Sequence, residues 1–256
     1  MIQQFVITTA CGKRLIGKAV AALPVVLEVL KSGTLVIVAG TTNGYVAEEV
    51  LSIIGQEKDF VRKRFFRGIT LPPSQPTSEN GRLPDESSFP GDVVVTNGIW
   101  QKGKTIFDVV DDLKQGDIIL KGANALDVSR KQAAILIGHP KAGTIGVAIQ
   151  AVIGRRVRLI LPVGLEKRVF GDLNTLAERL NQQDVHGPRL FPVPGQVITE
   201  MDAITLLTGT NAELVAGGGV CGAEGSVRLA VSGDIKKMED VQTILNTFSK
   251  EPGFEL

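Results

Sequence analysis

Two periodicities alternate along most of this chain. Short apolar runs that read as buried strands are followed by stretches whose apolar residues recur every three or four positions, the spacing of a half-buried helix. Thr34–Ala39 is such a run, and Tyr45–Ile54 continues it with Val46, Val50, Ile53 and Ile54 on one helical side. Before them, Gly12–Ser32 has helical spacing broken by Pro24 and stopped at Gly33, which predicts two short helices. Met1–Thr9 reads as a first strand.

Further strand candidates are Asp92–Trp100 with Lys104–Ile106, paired around Gln101-Lys102-Gly103, then Asp117–Leu120, Ala133–Ile137, Val157–Leu161 and Arg189–Val193. Helical spacing covers Phe107–Leu113, Ile145–Ile153, Gly171–Asn181 and Glu200–Leu207. Thr34–Ala39, Asp117–Leu120 and Val157–Leu161 are expected as neighbouring central strands. The predicted fold is an open, mainly parallel α/β sheet flanked by helices in a Rossmann-like three-layer arrangement.

The tail has a different pattern. Ala212–Ala216 and Ser226–Val231 flank a glycine-rich stretch, and Asp234 can cap a helix over Ile235–Phe248. The expected division is an α/β ligand-binding domain over 1–210 and a small β-rich appendage over 211–256, a hairpin and helix packed on the main domain. Leu71–Pro90 holds five prolines among Ser, Glu, Asn and Gly, and is expected to be a surface loop, with a lid as one reading.

Composition narrows the function classes. The 256 residues can bury a large core, and a formal net charge of +1 supplies no field that would favour nucleic acid or an anionic membrane. The longest apolar stretch, Ala133–Ile153, is interrupted by His139, Pro140, Lys141 and Gln150, so a membrane span is not expected. Cys11 and Cys221 lie far apart without a close-spaced Cys or His pattern, so neither a disulfide framework nor a metal site is indicated. Cys11 reads as a buried small hydrophobe, with an activated thiolate beside Lys13 and Arg14 as the alternative. The first residues lack the basic leader of a signal peptide, and a cytoplasmic protein without a cofactor is expected.

The candidate chemistry sits in three loops at predicted strand ends. Gly40-Thr41-Thr42-Asn43-Gly44 and Lys141-Ala142-Gly143-Thr144 each open a helix, whose first N–H groups can hold a phosphate or carboxylate. Between them lies Lys121-Gly122-Ala123-Asn124-Ala125-Leu126-Asp127. The expected ligand contacts are Gly40, Thr41, Thr42, Asn43, Gly122, Asn124, Lys141, Gly143 and Thr144, converging on one phosphorylated small molecule. Thr41–Asn43 as an ordinary helix cap, Lys141 as a solvated lysine, and Asn124 as a left-handed turn residue are the competing readings. His139 and His186 read as turn or surface residues.

The segment Asp117–Val169 resembles the C-terminal half of methylthioribose-phosphate isomerases and of the related regulatory subunits of the translation-initiation guanine-nucleotide exchange factor. The matching features are the strand into Gly122-Ala123-Asn124, the helix opened by Lys141-Ala142-Gly143-Thr144, and the strand Arg158-Leu159-Ile160-Leu161-Pro162. Gly40-Thr41-Thr42 with its flanking strand and helix is similar to the phosphate loop of ribose-phosphate isomerases and, more loosely, of coenzyme A transferases. The resemblance implies an aldose–ketose isomerase acting on a sugar phosphate and a homo-oligomer. Asn124 stands where those isomerases carry a proton-transferring aspartate, so the proton would pass to Asp127 or to Glu224 in the glycine-rich string Gly217–Glu224. A non-catalytic metabolite sensor is the alternative favoured by Asn124, and a coenzyme A-using transferase, with a glutamate nucleophile at a strand end, is a further one.

Overall fold

A strand with consecutive apolar residues needs cover on both faces, and Leu35–Ile37 of the strand Thr34–Ile37, all buried, have it. A computed structural model describes residues 1–68, 70–72, 74 and 89–253. In it this strand lies inside a six-stranded sheet of order Gln196–Ile198, Arg158–Pro162, Ile118–Leu120, Thr34–Ile37, Val93–Thr96, Ile99–Trp100. The first four pair in parallel, with Leu35 opposite Ile118 and Ile118 opposite Arg158; the last two add antiparallel. The three strands expected at the centre are therefore neighbours. In chain order the parallel strands step across the sheet in a single direction, so all four carboxyl ends form one continuous edge.

The hairpin at the far side turns at Asn97-Gly98, not at Gln101–Gly103 as the spacing suggested. Both residues have positive φ, 49° and 76°, the conformation of a two-residue hairpin turn for which Asn-Gly is the favoured pair. Two strands escaped the sequence reading, Ala125–Asp127 and Gln196–Ile198, each only three residues long. Ala125–Asp127 pairs antiparallel with Gln132–Ile137, which pairs in turn with Arg189–Val193 to make a small separate sheet.

The C-terminal hairpin, Asn211–Gly217 with Val227–Ser232, is completed by the strand Ile2–Ile7, whose register runs from Ile2 opposite Ser232 to Ile7 opposite Val227. The last strands are thus tied to the first through one antiparallel sheet. Asp234 caps the final helix, Ile235–Phe248, by accepting the Lys237 N–H at 2.9 Å.

The other helices are Thr9–Ala21, Pro24–Ser32, Thr41–Ile53, Ile106–Val109, Gly143–Arg155, Leu173–Leu180 and Glu200–Thr208. Thr9–Ala21 packs closely on Thr41–Ile53, since a methyl group on Gly17 would lie 2.9 Å from the Tyr45 carbonyl carbon. One core cluster runs from Phe5 through Leu35, Ile119 and Ile160 to Leu245, and so joins the terminal sheet to the central one. A smaller cluster of Ala125, Ala134, Leu173, Ala177 and Leu190 underlies the small sheet. Among the described residues no helix is long and apolar enough to cross a membrane.

Candidate functional site: a cationic cavity at the strand ends

The chain leaves Thr34–Ile37 through Val38 and Ala39 and enters the helix Thr41–Ile53 at Gly40. Two polar side chains hold that turn. The Asn43 amide donates to Val38 O at 2.7 Å and to Leu120 O at 3.1 Å, clamping the ends of two adjacent parallel strands. The buried Asp92 carboxylate accepts from the Ala39 N–H at 2.9 Å and the Ile106 N–H at 2.8 Å. The first turn of the helix, whose N–H groups no intrahelical carbonyl can reach, is thereby aimed at a fixed point. Thr42 is 2% exposed, and its Oγ1 has no hydrogen-bond partner among the described residues.

A cavity of about 450 Å³ opens in front of this turn. Of the expected ligand contacts, Gly40, Thr41, Thr42, Gly122, Asn124, Gly143 and Thr144 line it. All three predicted loops reach it. Asn43 does not line it and acts instead as the strand clamp. Lys141 is exposed and off the lining; its N–H donates to His139 Nδ1 at 3.1 Å.

Neither residue expected to move a proton reaches the cavity wall. Asp127 ends a strand of the small sheet, and its carboxylate accepts from Ser129 Oγ at 2.6 Å, Arg130 N at 3.1 Å and Arg130 Nη1 at 2.8 Å. Those bonds hold its carboxyl down at about 2, so it is a turn anchor. Glu224 is exposed in the loop that joins the two C-terminal strands. The Pro-rich loop expected over 71–90 lies outside the described residues at 73 and 75–88, while Leu71 and Pro72 line the cavity.

The titratable groups that do line it are Arg67, Lys121, His139 and Lys167, and no carboxylate is among the described lining residues. Lys121 follows the buried strand Ile118–Leu120 directly. Burial pulls its ammonium down to about 8, with Arg67 and Lys167 adding to the shift and Asp92 opposing it. Its Nζ has no hydrogen bond or ion pair among the described residues. Arg67 lies over the Phe89 ring at 4.2 Å and pairs loosely with Asp92, at 3.4 Å. Lys167 Nζ donates to Ala123 O at 2.8 Å, and burial lowers its pKa against the pull of Glu166 and Glu200. Because His139 Nδ1 accepts the Lys141 N–H, the neutral ring carries its proton on Nε2.

Two glycines on the wall have no conformational reason to be glycine. Gly40 has φ of 177°, extended backbone open to any residue, and a methyl group there would meet nothing closer than Val38 O at 4.0 Å. A methyl on Gly122 would meet nothing within 4 Å. Gly143 differs, since its φ of +57° disfavours any side chain. Gly40 and Gly122 leave room on the cavity wall that the fold does not need.

The neighbouring half of the same strand edge carries the opposite charge. Glu200, the first helical residue after Gln196–Ile198 and the cap Thr199, is 2% exposed, accepts the Leu165 N–H at 2.8 Å, and fits because Gly12 lacks a side chain that would come within 2.5 Å of its Oε1. Burial, and then the charge of Glu166, pushes its carboxyl up to about 8. Glu166 Oε2 is buried without a partner among the described residues, and Lys13, its pKa lowered by burial, feels both glutamates. Cys11 is buried as expected, its thiol pushed up to about 11 by burial and then by Glu200 and Glu251.

Sequence reasoning missed Arg67, Lys121, His139, Lys167 and this glutamate pair. A signal existed for Lys121, a lysine set between three buried strand residues and a glycine, and for Glu200, the first residue of a helix after a strand. Arg67 and Lys167 carry no local mark. Among the described residues no group of three or more His, Cys, Asp or Glu side chains could hold a metal ion.

Compared with known proteins, the chain matches no family model, no curated protein and no solved structure.

Proposed function

We propose that this protein binds a phosphorylated small metabolite, of sugar-phosphate size, in the cavity at the strand ends. One observation carries the reading: a helix N-terminus with an unpartnered, buried Thr42 hydroxyl opens on the same cavity as three cationic side chains, without a carboxylate among the described residues of the wall. Phosphate would sit on the first turn at Gly40–Thr42, with Thr144 and Gly143 across the cavity and Arg67, Lys121 and Lys167 balancing its charge. A volume of about 450 Å³ falls in the range of small-molecule sites.

Aldose–ketose isomerisation of such a sugar phosphate is the reaction proposed. It needs a group that removes a proton beside a carbonyl and returns it one carbon away. Neutral Lys121 is the base on the wall able to do so, in place of Asp127 and Glu224, with the Nε2–H of neutral His139 as a hydrogen-bond donor to the carbonyl oxygen. The frame assumed is a Rossmann-like three-layer arrangement in a cytoplasmic homo-oligomer, as the sequence resemblance implies.

A non-catalytic metabolite sensor is the second reading. It is favoured by Asn124, whose Oδ1 is occupied in accepting the Leu136 N–H at 3.0 Å and cannot ionise. Calorimetric titration with inorganic phosphate and with phosphorylated and unphosphorylated sugars tests the binding reading. Binding of the unphosphorylated sugar alone would overturn it. Proton NMR of the bound sugar phosphates separates enzyme from sensor, since only an enzyme interconverts them in solvent deuterium oxide with label appearing on carbon.

A further inference from the structure

We propose that Lys121 is a covalent catalyst, whose amine forms an imine with the carbonyl carbon of a phosphorylated aldehyde or ketone held in the cavity. The inference rests on the phosphate site proposed above and adds the chemical class of the substrate. Of the three cationic side chains on the wall, two are engaged: Arg67 by Asp92 and the Phe89 ring, Lys167 by the Ala123 carbonyl. Lys121 Nζ alone has no partner among the described residues. Its backbone is fixed all the same, because its N–H donates to Ile160 O at 3.0 Å across the sheet, so a rigid strand end carries an uncommitted amine.

Placement agrees with that role. Lys121 follows the strand next to the one that leads to Gly40, and paired strands lie roughly 4.8 Å apart. The backbones that carry the helix N-terminus at Gly40–Thr42 and the Lys121 amine are therefore one strand spacing apart on the wall of a single cavity. Gly122 and Gly40 leave the intervening wall open. The held amine is also the right species. With a pKa of about 8, roughly one molecule in ten has a neutral Lys121 at pH 7, against fewer than one in a thousand for an ordinary lysine.

In the step, the nitrogen lone pair attacks the carbonyl carbon and the C=O π pair moves to oxygen, which takes a proton. The resulting carbinolamine loses a proton from nitrogen, and its hydroxyl leaves as water after a second protonation, giving a protonated imine. Neutral amine, carbonyl and one net proton thus become iminium and water, with no redox partner. His139, on the same wall with its proton on Nε2 in the neutral ring, can donate a hydrogen bond to that oxygen, while the nitrogen's own proton and one from solvent supply the two protonations. The iminium then acidifies the adjacent C–H, the bond that an isomerisation must break.

The full chain is incubated with glyceraldehyde 3-phosphate and sodium cyanoborohydride, digested, and mapped by mass spectrometry, beside a reaction with unphosphorylated glyceraldehyde. Phosphate binding to wild type and Lys121→Arg is measured by calorimetry in parallel. The expected result is one dominant reduced adduct on Lys121, at least roughly tenfold more abundant with the phosphorylated aldehyde, suppressed by inorganic phosphate and absent in Lys121→Arg while that variant still binds phosphate. Its rate should rise with pH to a half-point near 8. If phosphate binds and labelling is spread over surface lysines such as Lys31 and Lys102, the imine is overturned and the phosphate site stands. If phosphate does not bind wild type, the phosphate site itself falls, and with it the phosphorylated substrate class.

Discussion

The carboxyl edge of the parallel sheet has two halves built on the same backbone plan and finished in opposite ways. At the ends of Thr34–Ile37 and Ile118–Leu120 the chain places glycine, threonine and lysine, and a cavity stays open. At the ends of Arg158–Pro162 and Gln196–Ile198 it places Glu166 and Glu200, which fold back over Gly164 and Gly12, and Glu200 takes the Leu165 N–H for itself. The second half has in effect swallowed its own anion. A strand end becomes a ligand site only where the chain withholds the side chains that would fill it. Lys167 joins the halves, since it lines the open one and feels both glutamates of the closed one.

The largest test of this contrast removes Asp92. That carboxylate holds the turn of the open half through Ala39 and Ile106, and its loss strands two buried N–H donors and the Arg67 charge. Asp92→Ala should lower unfolding stability by about 3–5 kcal/mol in urea titration and abolish phosphate binding. A loss below about 1 kcal/mol would mean the open half is not preorganised by this residue.

Next comes the closed half. Glu200 binds its proton more tightly folded than unfolded, so its contribution to stability is complete below the ordinary value of 4.5 and is lost as pH rises toward about 8. Glu200→Gln keeps an acceptor for Leu165 without that proton, so the variant should gain on wild type steadily between pH 5 and pH 8. A difference that stays flat across that window would show the glutamates to be ionised and solvated, and the halves less unlike than described.

Lys121 has the converse sign. The unfolded chain holds its proton more tightly, so the folded state is penalised below about 8 and relieved as pH climbs toward 10.5. Lys121→Met should stabilise the unliganded protein at pH 7 by on the order of 1–2 kcal/mol, the gain fading by pH 10.5, while phosphate binding weakens. Thermal unfolding at the two pH values checks both parts. The smallest expected effect on stability is Gly122→Ala, within about 0.5 kcal/mol of wild type. Phosphate affinity should nevertheless fall, because the added methyl takes space on the open wall. Unchanged affinity would remove Gly122 from the site.

Much of the fold was legible because periodicity reports burial, and the central strands are buried on both faces. Ala125–Asp127 and Gln196–Ile198 were not, since three residues cannot display a period. The hairpin turn was misplaced although Asn97-Gly98 is a strong local signal. The loops that line the cavity could be read because a helix start after a strand has fixed geometry. The cations could not: what sets Lys121 apart is the lack of a partner among the described residues, a property of its neighbours in space. Asp127 misled for the same reason, as three local hydrogen bonds spend its carboxylate in a turn.

The terminal sheet constrains the order in which this molecule can assemble. The Met1 ammonium donates to Gly233 O across 232 residues, and every pairing of Ile2–Ile7 spans nearly the same separation. Closing so long a loop in a disordered chain costs about 5 kcal/mol of entropy, but far less once the central sheet has already brought its ends together. Ile2–Ile7 therefore waits, with Phe5 and Ile7 uncovered, until the rest of the core exists. On a ribosome, this strand emerges well before the strand it pairs with and still has to wait for it.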